Sequence, residues 1–240
     1  MSQVFSGDVL ERDRPRVALV DDREEALTRA CDILGELSIT VDPMLLREPR
    51  TLDSVLAEIL GRGCTALISD HRLRHHARVG FDGAELVYRA NERKLPAVLY
   101  SAHVEDDETT SIREWRYRIP RVVRKGPHSV DAMPEALRTA LAEVEGQRSL
   151  ERRGFLTPIR VIGVHSEGYP TVDVTVTAWK PDVPITIPLT RLPAEYRLKS
   201  RSLVGKVFLG KVNFYAEDEA ELFFHDLSLA PDPAADWNVE

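Results

Sequence analysis

A chain of 240 residues with 43% hydrophobic content holds enough material for one large domain or two modest ones. No apolar run approaches the ~20 residues of a membrane span, and the first residues lack the basic-then-apolar order of a secretory signal. The net charge of −7, with neither half of the chain basic, argues against general coating of nucleic acid. Both cysteines, Cys31 and Cys64, fall in apolar patterns and point to a reduced, cytoplasmic protein with buried thiols.

After a polar arm over 1–14, strand and helix patterns alternate five times. Strands are predicted at 16–20, 39–45, 65–69, 97–101 and 118–124, and helices at 23–36, 51–61, 83–94, 106–116 and 131–145. In the first helix Ala26, Leu27, Ala30, Cys31, Leu34 and Leu37 recur at helical spacing. Alternation of this kind predicts parallel strands joined by right-handed crossovers, an α/β doubly wound sheet. Five strands in about 130 residues is the size of a flavodoxin-like domain.

The strand ends carry the chemistry. The run Arg16-Val17-Ala18-Leu19-Val20 stops in two acids, Asp21 and Asp22, which repel each other unless a cation lies between them. The plainer reading is a helix start, with Asp22 as N-cap and Asp21 solvated. The third strand ends in Asp70, the fourth in Ser101-Ala102 and the fifth in Lys125-Gly126. Parallel strands point the same way, so Asp21, Asp22, Asp70, Ser101 and Lys125 are expected on one rim, where open α/β sheets bind ligands. Three carboxylates make a hard-oxygen pocket suited to Mg²⁺. An ammonium and a hydroxyl beside them can hold the oxygens of a transferred phosphoryl group.

This constellation resembles the receiver domain of two-component response regulators over residues 15–146. The segment Phe81-Asp82-Gly83-Ala84-Glu85-Leu86 adds to the likeness, since receivers commonly open their third helix with Asp-Gly-x-Glu-Leu. The resemblance implies that Asp70 is the phospho-acceptor, that Ser101 and Lys125 engage the phosphoryl oxygens, and that Asp21, Asp22, Asp70 and the His71 backbone carbonyl hold Mg²⁺. It also implies a histidine kinase or phosphotransfer protein as donor. Asp70 would form an acyl phosphate, whose added charge draws Ser101 and its loop inward.

The chain departs from the family in three places. Val122 stands where receivers often carry an aromatic residue, Gly126 stands where a proline usually follows the lysine, and the insertion over 72–80 is basic and longer than usual. A signalling change is therefore expected to run through that loop. Arg72 and His103 lie where such side chains flank the path of attacking water in receivers; solvated loop residues are the alternative. Arg113, Arg116, Arg118, Arg121 and Arg124 lie on a face that receivers often use for partners, though a solvated face is the plainer reading.

Residues 147–154 are polar and read as a linker or a short extension of the fifth helix. Beyond them, β-branched alternation and frequent prolines predict five short strands over 155–230, a small all-β barrel or sandwich, followed by a disordered tail over 231–240. His165, His225 and Asp226 have no spacing that demands an active site. Arg191, Arg197, Lys199, Arg201, Lys206 and Lys211 form a basic cluster that can meet nucleic-acid phosphates. No helix-turn-helix pattern accompanies it, which favours a protein partner over nucleic acid.

The sequence thus reads as a response regulator rather than an enzyme: phosphorylation of Asp70 switches partner binding through a β-rich output domain, with receiver dimerisation as one route. A nucleic-acid-binding regulator and an unphosphorylated scaffold are the alternatives.

Overall fold

The computed structural model describes residues 16–37, 39–126, 129–197 and 202–231. The arm over 1–14 and, except for Pro231, the expected tail lie outside the described residues. The chain divides into two compact units. The first takes the chain as far as Val104 and again Arg118–Gln147; the second takes Glu105–Tyr117 and the chain from Arg148 onward.

The first unit is built on five parallel strands in the order β2-β1-β3-β4-β5: β1 Arg16–Asp21, β2 Thr40–Leu45, β3 Ala66–Ser69, β4 Ala97–Ser101 and β5 Val122–Arg124. This is a flavodoxin-like order. The chain winds one way from β1 to β2, then reverses to β3, and the reversal point lies between β1 and β3. Helices α1 (Glu24–Gly35), α2 (Leu52–Gly61), α3 (Arg74–Ala77) and α4 (Gly83–Glu92) connect the early strands, and a long helix, Ser129–Val144, ends the unit.

Burial on both faces explains the continuous apolar strands. Val17, Leu19, Ile68, Val98 and Tyr100 pack with Leu27, Ala30 and Leu34 of α1 and with Met133, Ala136 and Ala140 of the terminal helix. Residues of the opposite parity, such as Val20, Leu67 and Leu99, are buried as well. Thr51 caps α2 by accepting the Ser54 N–H at 3.2 Å. The buried Asp42 of β2 is balanced by Arg16 at 2.5 Å and Arg62 at 2.9 Å.

The second unit holds one antiparallel sheet in the order β10-β9-β6-β7-β8: β6 Phe155–His165, β7 Thr171–Val176, β8 Lys180–Pro188, β9 Val207–Val212 and β10 Phe224–Leu229. All five expected strands are present. Along β6, buried Thr157, Ile159 and Val161 alternate with exposed Leu156, Pro158, Arg160 and Ile162, so one sheet face makes the core. Ile159, Val161, Val172, Val174, Ile185, Ile187 and Phe208 form that core with Leu189, Leu192, Leu203 and Leu222. No described helix is long and apolar enough to cross a membrane.

Two features differ from expectation. The single helix expected over 106–116 is instead two short helices, α5 (Val104–Asp107) and α6 (Ser111–Trp115), and α6 packs in the second unit. The segment read as a linker also contains a 3-10 turn, Leu150–Arg152, whose Arg152 is buried and donates to the carbonyls of Arg116 and Tyr117 at 3.4 and 3.3 Å. In both cases arginines that look solvated in the sequence are engaged by backbone acceptors far along the chain.

Candidate functional site

The carboxyl ends of β1 and β3 bring Asp21, Asp22 and Asp70 together. All three are buried, and each offers a carboxylate oxygen within 4.8 Å of the others. Asp21 is not merely solvated, as the plainer sequence reading had it. It is 2% exposed and accepts the Arg23 N–H at 2.9 Å, while α1 begins after Arg23 without a side-chain cap from that residue.

Lys125, the first residue after β5, crosses to this cluster. Its Nζ donates to Asp70 Oδ1 at 2.6 Å and to Asp21 Oδ2 at 2.8 Å. Burial alone would lower its pKa; the charges of Asp70 and Asp21, with their hydrogen bonds, outweigh that and hold it above the ordinary lysine value. The second oxygen of Asp70 accepts the backbone N–H of Arg72 at 2.9 Å. Both oxygens of the expected phospho-acceptor are thus held by donors, which fixes the carboxylate at the end of its strand.

Ser101 lies at the end of β4 and is buried. Its Oγ accepts the His103 N–H at 3.2 Å, and among the described residues it makes no hydrogen bond to the carboxylates. The His103 side chain is exposed. The His71 carbonyl, expected to complete a metal site, accepts the N–H of Leu73 at 3.0 Å and of Gly83 at 2.8 Å. This carbonyl therefore also joins the start of α4 to the end of β3.

Two contributors were not singled out from the sequence. Gly83 opens α4 directly against Asp70: a Cβ there would lie 1.7 Å from the Asp70 carbonyl oxygen and 2.9 Å from the His71 Cα. Its Asp-Gly context was visible, but the reason for glycine was not. The other is Tyr100, whose hydroxyl is 3.0 Å from Ser129 Oγ; Ser129 in turn donates to the Gly126 carbonyl at 2.7 Å. This buried chain ties the segment just after Lys125 to β4, and the Lys125 ammonium lies 5.3 Å from the Tyr100 ring centroid.

In the second unit His165 and His225 do not converge on one site. His165 pairs with Asp173 at 2.7 Å, and Thr186 also donates to Asp173. His225 pairs with Asp226 and stacks on Tyr117 with centroids 3.7 Å apart. Three residues of the basic cluster have partners within the unit. Arg191 donates to the carbonyls of Phe224 and Glu114, Arg197 to those of Leu192 and Thr190, and Lys211 pairs with Asp226. Lys199 and Arg201 lie outside the described residues.

No family model matches the chain, and no curated protein does. Its neighbours among solved structures include receiver domains. A response regulator receiver domain protein from Clostridium thermocellum is similar at 12% identity, over 56% of this chain and 99% of its own, with a TM-score of 0.42. The signal receiver domain of an HD domain-containing protein from Pseudomonas fluorescens Pf-5 matches at 23% identity, over 56% and 92%, with a TM-score of 0.39. NtrX from Brucella abortus matches at 21% identity over 57% of this chain and 28% of its own, with a TM-score of 0.40. The first unit has a flavodoxin-like strand order of its own, and the C-terminal region is not covered by these matches.

Proposed function

We propose that this chain is a two-component response regulator whose receiver unit is phosphorylated on Asp70 and whose second unit is the output. The observation that carries the proposal is the Lys125 ammonium held between Asp70 and Asp21, with Asp22 in the same buried cluster. Such a cluster is costly to assemble for structure alone, because each carboxylate must be desolvated beside two others.

Asp21, Asp22 and Asp70 fit a hard divalent cation, since they offer only carboxylate oxygens and lie close enough to share one ion. Mg²⁺ on them would neutralise charge on an incoming phosphoryl group. The three carboxylates supply the side-chain ligands, and the His71 carbonyl, which also accepts two N–H groups, would complete the site.

The donor is a phosphohistidine of a histidine kinase or phosphotransfer protein. An Asp70 carboxylate oxygen attacks phosphorus, the P–N bond breaks, and the imidazole nitrogen leaves with the electron pair and takes up a proton. Lys125 turns from the carboxylate towards a phosphoryl oxygen, and the Ser101 hydroxyl supplies a further hydrogen bond. Water later attacks phosphorus and restores the carboxylate, which is slow turnover by a signalling domain rather than enzymatic function. The protein works in the cytoplasm, and its output is a change in binding of a protein partner or of a second copy.

Nucleic acid is the weaker reading for the second unit, since Arg191, Arg197 and Lys211 already have intramolecular partners. An unphosphorylated scaffold is disfavoured by the intact set of Asp21, Asp22, Asp70, Ser101 and Lys125. Incubation with a small-molecule phosphodonor and Mg²⁺, read by phosphate-affinity electrophoresis, tests the proposal. A retarded band that requires both Mg²⁺ and Asp70 is expected. An unshifted wild type that also fails to bind beryllofluoride contradicts it.

A further inference from the structure

The stretch between β4 and β5 does not stay with the sheet that it connects. Residues 105–117 are an element of the second unit, bounded on either side by chain that returns to the first. Their grip on the second unit is specific. Arg113 is 1% exposed; its Nη1 donates to the Thr186 carbonyl at 2.8 Å and pairs with Glu219 Oε1 at 3.1 Å, while Nη2 donates to the Glu219 carbonyl at 2.8 Å. Arg116, equally buried, donates to the Ala220 carbonyl at 3.3 Å and pairs with Glu221. Glu114 between them accepts from Tyr169 and, through its carbonyl, from Arg191 at 3.0 Å. Tyr117 stacks on His225 and meets Phe223 edge-on at 5.0 Å.

The two ends of this stretch are placed tellingly in the chain. It begins at Glu105, four residues after Ser101, and ends at Tyr117, eight residues before Lys125. Ser101 and Lys125 are the two residues that would change partners when a phosphoryl group arrives. Burial lowers the Arg113 pKa, with the charge and hydrogen bond of Glu219 opposing it. A guanidinium held by fixed carbonyls has few alternative positions, so displacement of its helix is felt at Thr186 and at Glu219–Glu221 rather than absorbed by a flexible side chain.

We infer that residues 105–117 are the interaction element through which the state of Asp70 reaches the second unit, with Arg113 and Arg116 as its anchors on β8 and on the 219–221 turn. The occupant of that cradle is this segment of the chain itself. The inference rests on the phosphorylation reading and deepens it: the output unit needs no separate docking face to sense the receiver, because the receiver's own connecting chain is built into it.

Hydrogen exchange of the full chain, with and without Mg²⁺ and beryllofluoride, tests this, with fluorine NMR reporting separately whether beryllofluoride is bound. Bound beryllofluoride should change exchange several-fold in peptides covering 105–117 and 219–225. In Arg113→Lys, which keeps the charge but loses the fork, beryllofluoride should still bind while the change at 219–225 shrinks. Tyr169→Phe, a milder variant, should leave both binding and the change at 219–225 in place. Bound beryllofluoride with unaltered exchange in both peptides overturns the inference and leaves the phosphorylation reading standing. Absence of bound beryllofluoride overturns that reading and the inference with it.

Discussion

A side chain at Gly83 would have its Cβ 1.7 Å from the Asp70 carbonyl oxygen. The N-terminus of α4 therefore closes on the backbone of Asp70, and the Gly83 N–H donates to the His71 carbonyl across that contact. Glycine is required by close approach, not by dihedral freedom.

Gly83→Ala is accordingly expected to push the backbone at 70–71 away from α4. Overpacking of this kind costs about 1–3 kcal/mol, and the displaced Asp70 should accept phosphoryl groups more slowly. Urea unfolding and the rate of phosphorylation by a small-molecule donor check the two effects. Full rate with reduced stability would confine Gly83 to packing.

Lys125 is the counter-ion of the acidic cluster. Its raised pKa means that the folded state holds the proton more tightly than the unfolded chain. This stabilisation is complete below the ordinary lysine value of about 10.5 and is lost as pH rises through the higher folded value. Lys125→Met removes that alkaline loss and leaves three carboxylates facing one another. The variant should be less stable than wild type near neutral pH without Mg²⁺, and Mg²⁺ should raise its melting temperature by more than it raises the wild type's. Thermal melts with and without Mg²⁺ measure both.

Arg113 is a buried charge with fixed acceptors. Arg113→Met should destabilise the second unit by about 3–5 kcal/mol, the range for breaking a buried pair. Glu219→Gln should cost about 1–2 kcal/mol, because the carbonyl acceptors remain and the carboxylate is partly exposed. Trp115 and Trp179 both lie in this unit, so their fluorescence reports its unfolding directly.

Tyr100→Phe removes the hydroxyl that meets Ser129 and so loosens the segment after Lys125. A loss of about 1 kcal/mol in stability is expected, with slower phosphorylation at unchanged Mg²⁺ affinity. Equal Mg²⁺ titrations with unequal phosphorylation rates would place the effect on Lys125 rather than on the carboxylates.

The rim was legible in the sequence because each of its residues follows an apolar strand, and parallel strands deliver their ends to one side. Asp21, Asp22, Asp70 and Lys125 meet for that reason. The placement of residues 105–117 was not legible. Arginine is read as a surface residue, and besides the Glu219 and Glu221 carboxylates what holds Arg113 and Arg116 is a set of backbone carbonyls at 186, 219 and 220 that leave no side-chain pattern to recognise. The His71 carbonyl and the Gly83 contact were hidden for the same reason: main-chain geometry decides both. In the second half, alternation of apolar and polar residues revealed the strands, but nothing in the sequence showed that Arg191, Arg197 and Lys211 have carbonyl or carboxylate partners within the unit.

The most direct test of the central claim is to locate the phosphoryl group. After treatment with a small-molecule phosphodonor and Mg²⁺, the chain should carry one phosphoryl mass, released by hydroxylamine as acyl phosphates are, and peptide mapping should place it on Asp70. A phosphoryl group on another residue, or none on a chain that binds Mg²⁺, would contradict the account.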